Sequence, residues 1–241
     1  MDVCLVTKLQ PPIPKWWQEQ VARFLPLSRL IVSRSNPLGQ ARQQCIEKVN
    51  TEWFLFLDDD VLIDSNFWPM LTRHLNDDVG AISGRESITG FGERWDRDLN
   101  KIRQSAGIQD LKLGERGTTV CCLVRTDLVK DWKPIPADLS AFEDYSLTQH
   151  VLRKGFRWLI VPTPSVLHLT WNWLVVPSKC FWCGDGIKKT HAPRDRIRLL
   201  KRYVLSLVYF FRIFLKRKIS FRGLVYAVYS NLWMILGIVF A

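Results

Sequence analysis

No charged residue follows Arg222, and the stretch from Lys188 to Arg222 holds one acid, Asp195, against twelve lysines and arginines. Upstream of Lys188 the chain has no net charge. There, 22 of the 34 lysines and arginines face 22 of the 23 acids, so the formal excess of +11 sits in that belt. This distribution excludes a basic surface spread over the whole molecule, of the kind that tracks nucleic acid. A basic belt beside an uncharged apolar segment fits anionic lipid headgroups instead. Internal repeats and low-complexity linkers are absent too, which excludes a solenoid, and 47% apolar residues exclude a disordered chain. The N-terminus, Met1-Asp2-Val3-Cys4-Leu5-Val6, lacks the positive region and long apolar stretch of a secretory signal, so the domain is expected to stay in the cytosol. Cysteine is sparse, at six residues, and the lone Cys180-Phe181-Trp182-Cys183 has no second pair. A zinc site is therefore disfavoured against reduced thiols packed in a loop.

What is present reads as α/β. Val3–Val6 and Leu30–Val32 are short apolar runs of strand type, and Trp53-Phe54-Leu55-Phe56-Leu57 is a continuous one. Helical patterns at Trp16–Phe24 and Gly39–Val49 separate them, and this alternation predicts a mostly parallel sheet covered by helices. Residues 84–117 are polar and rich in Gly and Arg, and read as loop and edge structure around a cleft. A strand is expected at Thr118–Val124, a helix at Asp138–Lys154 closed by Gly155, and strands at Phe156–Val161 and Val166–Leu169. In the tail, Leu199–Leu215 is apolar but punctuated by Lys201, Arg202 and Arg212, as suits a membrane interface. The nineteen uncharged residues from Gly223 to Ala241 make a helix about 28 Å long, enough for one crossing. The alternative is a helical hairpin packed on the domain or on a second subunit. The expected division is a catalytic domain at 1–190 and an interfacial helix plus a membrane-embedded helix at 191–241. The belt places residues 1–222 on the cytoplasmic side.

Three acids, Asp58, Asp59 and Asp60, follow directly on the third strand. Ligands of open sheets bind at the carboxyl ends of strands. If the segment stays extended, Asp58 and Asp60 share a side and repel unless a cation lies between them; carboxylate oxygens suit Mg²⁺ or Mn²⁺. The competing reading is a polar turn, with Asp64 or Ser65 capping a helix at 66–75. Further on, Ser140-Ala141-Phe142-Glu143 fits a capping box, which would account for Glu143 structurally. Asp144 reads equally as a first-turn acid or as a general base facing the cleft. His168, near the end of a short strand, reads equally as a metal ligand or as a core histidine.

Taken together these residues resemble the family 2 glycosyltransferases of the GT-A fold. Asn36-Pro37-Leu38-Gly39-Gln40-Ala41-Arg42 is similar to their segment after the second strand, and Phe56-Leu57-Asp58-Asp59-Asp60-Val61 to their DxD motif. Gly117–Arg125 is similar to their acceptor-side strand. Phe142-Glu143-Asp144-Tyr145, Gly155-Phe156-Arg157-Trp158 and His168 resemble their ED motif, following strand and trailing histidine. The resemblance covers roughly residues 1–170. It implies a nucleotide-sugar donor and Mn²⁺ or Mg²⁺ held by Asp58, Asp60 and His168, with Asp58 also placed to contact the donor. Asp144 would be the base of an inverting displacement and Glu143 its support. Arg42 and Lys8 would stand on the donor side, with Lys188 and Lys189 as further cations. The tail is similar to that of crenarchaeal membrane mannosyltransferases of reduced cellulose-synthase-like architecture, which implies GDP-mannose as donor. Trp171, Trp173, Phe181 and Trp182, between the last strand and the basic belt, read equally as aromatics that stack on an acceptor or dip into the interface and as a packed aromatic loop; a loop joining the site to the membrane suggests a lipid-linked glycan or polyprenyl phosphate-type acceptor.

Two departures stand out. Where relatives carry an acid that contacts the nucleobase, this chain has Ser33-Arg34-Ser35. The Gln-x-x-Arg-Trp motif of processive members is missing, since Arg157-Trp158 falls on a strand, so addition of one sugar is expected rather than chain extension. The rivals are a Mg²⁺-dependent phosphohydrolase, revealed by phosphate release from simple esters, and a non-catalytic membrane-bound sugar-nucleotide binder, revealed by binding without transfer or hydrolysis.

Overall fold

The computed structural model describes residues 1–8, 10–27, 29–105, 112–113, 116–169 and 174–240, with the backbone alone at 91, 103–105, 112–113, 162–165 and 175. The chain forms β1 (Asp2–Val6), α1 (Lys15–Phe24), β2 (Arg29–Ser33), α2 (Leu38–Lys48), β3 (Trp53–Leu57), β4 (Val61–Ile63), α3 (Phe67–Thr72) and β5 (Val79–Ile88). It continues through α4 (Glu93–Ser105), β6 (Lys112–Leu113), β7 (Cys121–Arg125), α5 (Thr126–Val129), α6 (Glu143–Arg153) and β8 (Arg157–His168). Three helices close it: α7 (Val175–Thr190), α8 (Pro193–Leu215) and α9 (Phe221–Phe240). Two compact units result. The first is Met1–Glu86 with Asp110–His168, and the second is Ser87–Gln109 with Leu169–Ala241.

The first unit is an α/β layer structure around an eight-stranded sheet, ordered β2-β1-β3-β7-β5-β8-β4 with β6 paired to β8. The sheet is mixed rather than mostly parallel. β1 runs parallel to β2 and β3, while β7 is antiparallel to β3 and β5, and β4 and β6 are antiparallel to β8. β3 shows why its apolar run is continuous. Leu55 and Leu57 enter a cluster with Trp17 and Val21 of α1, while Phe54 and Phe56 enter another with Cys45 and Ile46 of α2 and Leu147 of α6. Alternate side chains thus feed two cores, one on each face. Each fully buried Phe or Leu there contributes about 1.5–3 kcal/mol.

The polar segment read as loop is more ordered than its composition suggests. β5 runs on to Ile88 and α4 follows, held by pairs one helical turn apart, Arg97–Glu93 at 3.2 Å and Arg94–Asp98 at 3.4 Å. The helix expected from Asp138 begins only at Glu143. Its N-cap is Phe142, in the left-handed region at φ 65°, so Ser140 caps nothing and the capping box does not form. α3 is shorter than expected, and Asp64 instead accepts the Asn66 amide at 2.8 Å. Cys180 and Cys183 sit within α7, not in a loop.

In the second unit α9 lies against α7, α8 and α4. α7 and α9 touch backbone to backbone at their glycines: a Cβ on Gly184 would lie 2.6 Å from the Gly237 backbone, and one on Gly237 only 2.2 Å from the Phe181 carbonyl oxygen. The Ser206 hydroxyl of α8 donates to Asn231 of α9 at 3.0 Å. Asp98 of α4 takes the Ser220 amide at 2.8 Å and its hydroxyl at 2.7 Å, fixing the start of α9. Among the described residues α9 is the one helix long and apolar enough to cross a membrane, with a mean hydropathy of 1.7 and about 33% of that window buried.

Candidate active site

Parallel pairing brings the carboxyl ends of β1, β2 and β3 to one edge. Asp58 extends the ladder by one rung there, its amide donating to Val120 at 2.9 Å, while its carbonyl accepts the Trp17 indole N–H at 2.9 Å. Residues 58–60 then turn into β4 rather than staying extended. The three acids part company in that turn. Asp59 accepts the Thr7 hydroxyl at the end of β1. Asp58 faces Arg42 at 3.3 Å, and Asp60 faces His168 at 3.0 Å. Burial pushes the Asp58 carboxyl up to about 7 against the pull of Arg42, and the neighbouring Asp60 adds to the rise.

His168 reaches this place through β4, a strand of only three residues. Val61, directly after the acids, pairs with His168 across the β4–β8 ladder. The imidazole is clamped from both sides, with Nε2 on Asp60 at 3.0 Å and Nδ1 on Glu86 at 2.6 Å. Burial opposes its charge, yet the hydrogen bonds to Asp60 and Glu86 prevail and raise it to about 9. Glu86 escaped the sequence reading because it lies in the segment taken for loop. The available signal was that β5 continues past the apolar Val79-Gly80-Ala81-Ile82.

Arg42 is the connecting piece. Only 2% exposed, it donates from Nε to Glu143 at 3.1 Å and from Nη2 to Asp58 at 3.3 Å, with the Phe56 ring 5.0 Å away. Burial works against its charge, but Asp58 and Glu143 raise its pKa above the ordinary arginine value. The expected donor-side cation is thus placed beneath the site, pairing one acid from each half. Lys8, just past β1, is exposed at the same edge. Lys188 and Lys189 lie on α7 in the second unit, where Lys189 pairs with Asp185 at 3.3 Å. Phe181 and Trp182 are on α7 as well, while Trp171 and Trp173 lie outside the described residues. In place of a nucleobase-side acid, Ser33 and Ser35 both donate to Gln44 Oε1, at 2.9 and 2.5 Å.

The second pair of acids stands at the start of α6. Glu143 also accepts the Thr119 hydroxyl at 3.3 Å. Asp144 is held by Arg116, which sequence reasoning did not single out: Nε lies 3.1 and 3.2 Å from the two carboxylate oxygens and Nη2 3.0 Å from Oδ2. The approach to these residues is locked from behind. Trp158 Nε1 donates to Ser83 Oγ at 2.7 Å, and Ser83 in turn holds Thr118 through its carbonyl and amide at 2.8 and 3.1 Å. A Cβ at Gly117 would stand 1.9 Å from that indole nitrogen, so the position takes glycine alone.

The oxygen-rich set with one imidazole, Asp58, Asp60, Glu86 and His168, has the donor chemistry of Mg²⁺ or Mn²⁺. An imidazolium already supplies positive charge among these acids. Among the described residues no three such side chains converge on one point; Asp60, His168 and Glu86 form a chain instead.

This mixed α/β fold is shared with glycosyltransferases of the GT-A fold. The mannosyltransferase PcManGT from Pyrobaculum calidifontis, solved with GDP-Man and Mn²⁺, superposes with a TM-score of 0.55 at 12% identity, over 98% of this chain and 72% of that one. GalNAc-T7 with UDP, GalNAc and Mn²⁺ gives 0.52 at 11% identity, over 80% and 51%. The glucosyl-3-phosphoglycerate synthase of Mycobacterium tuberculosis, with Mg²⁺ and UDP, gives 0.51 at 13% identity, over 78% and 76%. The chain belongs to the glycosyltransferase-like family 2, whose match spans residues 18–176. No curated protein sequence matches it.

Proposed function

We propose that this glycosyltransferase is metal-dependent and inverting, and that it moves one mannose from GDP-mannose to a lipid-linked acceptor at the cytoplasmic membrane face. The observation that carries the chemistry is the buried Arg42, which ties Asp58 after β3 to Glu143 beside Asp144, so two pairs of acids far apart in sequence meet at one sheet edge. Asp58, Asp60 and His168 would hold the divalent ion, with Glu86 orienting the histidine from behind. When bound, that ion supplies charge neutralisation for a nucleoside diphosphate leaving group. Asp144 takes the proton of the acceptor hydroxyl as its oxygen bonds to the anomeric carbon, and the bond to the diphosphate breaks on the opposite face. Glu143, fixed by Arg42 and Thr119, holds the first turn of α6 in place.

Mannose from GDP-mannose is supported by the likeness to PcManGT over nearly the whole chain. The membrane is supported by α8 and α9. α8 exposes Val204, Val208, Phe211 and Leu215 along one side. An open surface region of about 900 Å³ lies along the same helix, lined by Arg194, Asp195, Ile197, Arg198, Lys201, Arg202 and Leu205. An apolar stripe flanked by cations fits an anionic lipid interface. A thermal-shift panel of nucleotide sugars with and without Mn²⁺ tests the reading. Stabilisation by GDP-mannose only when Mn²⁺ is present is the expected result, and insensitivity to every nucleotide sugar contradicts it.

A further inference from the structure

β4 ends the strand order among the described residues, so one of its long edges has β8 for a neighbour and the other has no strand. That outer edge is closed by a side chain. Gln20 of α1 donates from Nε2 to the Val61 carbonyl at 2.7 Å and accepts the Ile63 amide on Oε1 at 2.9 Å. A carbonyl and an amide two residues apart on one edge are what a neighbouring strand would engage, and one carboxamide supplies both partners. Gln20 is 7% exposed, in a place where an unpaired backbone group is costly. The same helix grips the other end of the acidic turn. Trp17, three residues earlier and so on the same face, donates its indole N–H to the Asp58 carbonyl at 2.9 Å. Between these two anchors Thr7 holds Asp59.

What Gln20 holds is the backbone that carries two of the candidate metal ligands to each other. Asp60 directly precedes β4, and Val61 is in register with His168 on β8. With β4 kept on β8, the Asp60 carboxylate meets His168 Nε2 at 3.0 Å. A strand of three residues has few bonds of its own to keep that register. From this arrangement we infer that Gln20 is a positioning residue for the divalent ion: standing in for a missing strand on β4, it sets the spacing of Asp60 and His168 and thereby the affinity of the site. Partners outside the ligand set tune metal binding through the ligands they orient. The inference rests on the proposed metal role of Asp58, Asp60 and His168, and adds to it a residue that bonds to backbone alone.

The test is Mn²⁺ alone, titrated into the metal-free full chain in detergent and followed by the electron paramagnetic resonance of the free ion. Gln20→Met keeps the reach of the side chain and removes both bonds, and is expected to weaken Mn²⁺ about tenfold. Gln20→Asn keeps the amide but is one methylene short; it is expected to fall between, and it carries the test where Gln20→Met does not fold. Val21→Ala, the next residue of α1, removes packing from the core and leaves the carboxamide in place, so it is expected to bind Mn²⁺ as wild type does. Hydrogen exchange of the metal-free protein gives a second readout. Residues 61–63 should lose protection in the Gln20 variants and keep it in Val21→Ala. Wild-type Mn²⁺ affinity in both Gln20 variants, or an equal loss in Val21→Ala, overturns the inference. A wild type that takes up no Mn²⁺ removes the metal assignment and the inference with it, a failure visible before any variant is made.

Discussion

Arg42 is a buried cation whose removal strands two acids. Arg42→Ala leaves Glu143 and Asp58 facing each other's field without a counter-charge, and breaking a buried pair of this kind costs about 3–5 kcal/mol. Urea unfolding should show that loss, whereas Arg42→Lys keeps the charge and recovers part of it. His168 gives a second expectation at this scale. Its pKa is raised from an ordinary 6.5 to about 9, so its contribution is whole below 6.5 and lost as pH rises through 9. Asp58, raised from 3.8 to about 7, acts with the same sign, its contribution whole below 3.8 and lost as pH rises through 7. The metal-free protein should therefore melt at lower temperature at pH 9 than at pH 6, with His168 accounting for roughly 3 kcal/mol. His168→Gln should flatten the limb above pH 6.5 in a melting series. A flat series in the wild type would contradict the clamp between Asp60 and Glu86.

At the scale of elements, what composition revealed and what it hid divide along physical lines. The acids after β3 were legible because an uninterrupted apolar run must be buried on both faces, and charges at its end then mark a strand terminus. The α/β alternation was legible for the same reason. β4 was not: three residues carry no period, yet their ladder delivers His168 to Asp60. Glu86 and α4 were hidden because polarity reads as loop, while α4 is sustained by charge pairs and by Trp95 and Ile102. The capping box misled through a purely local rule, since Glu143 is claimed instead by Arg42, 101 positions away in the chain. Gly117→Ala tests how tightly the β7 approach is held. The new methyl displaces the Trp158 indole, an overpacking cost of about 1–3 kcal/mol. Calorimetry should register it, and donor turnover should fall with it, because Ser83 and Thr118 hang on that indole.

At the scale of the molecule, the proposed membrane attachment predicts that the exposed stripe of α8 governs vesicle binding. Val208→Asp with Phe211→Asp places charge on that stripe. Co-sedimentation with anionic vesicles should drop, while melting of the catalytic unit stays within about 0.5 kcal/mol of wild type, as for surface changes elsewhere. Retained vesicle binding would move the attachment to α9.

The second unit is assembled from two separated stretches of chain, and that has a practical corollary for anyone seeking the first unit by itself. Trimming the C-terminus at residue 168 or 190 would not deliver it. α4 would stay behind, with Trp95 deprived of Phe210 at 5.1 Å and Asp98 of the serine it anchors. A clean excision must also replace residues 87–109 with a short polar bridge. Expressed that way, the carboxylate edge could be titrated with metals and nucleotides in plain buffer.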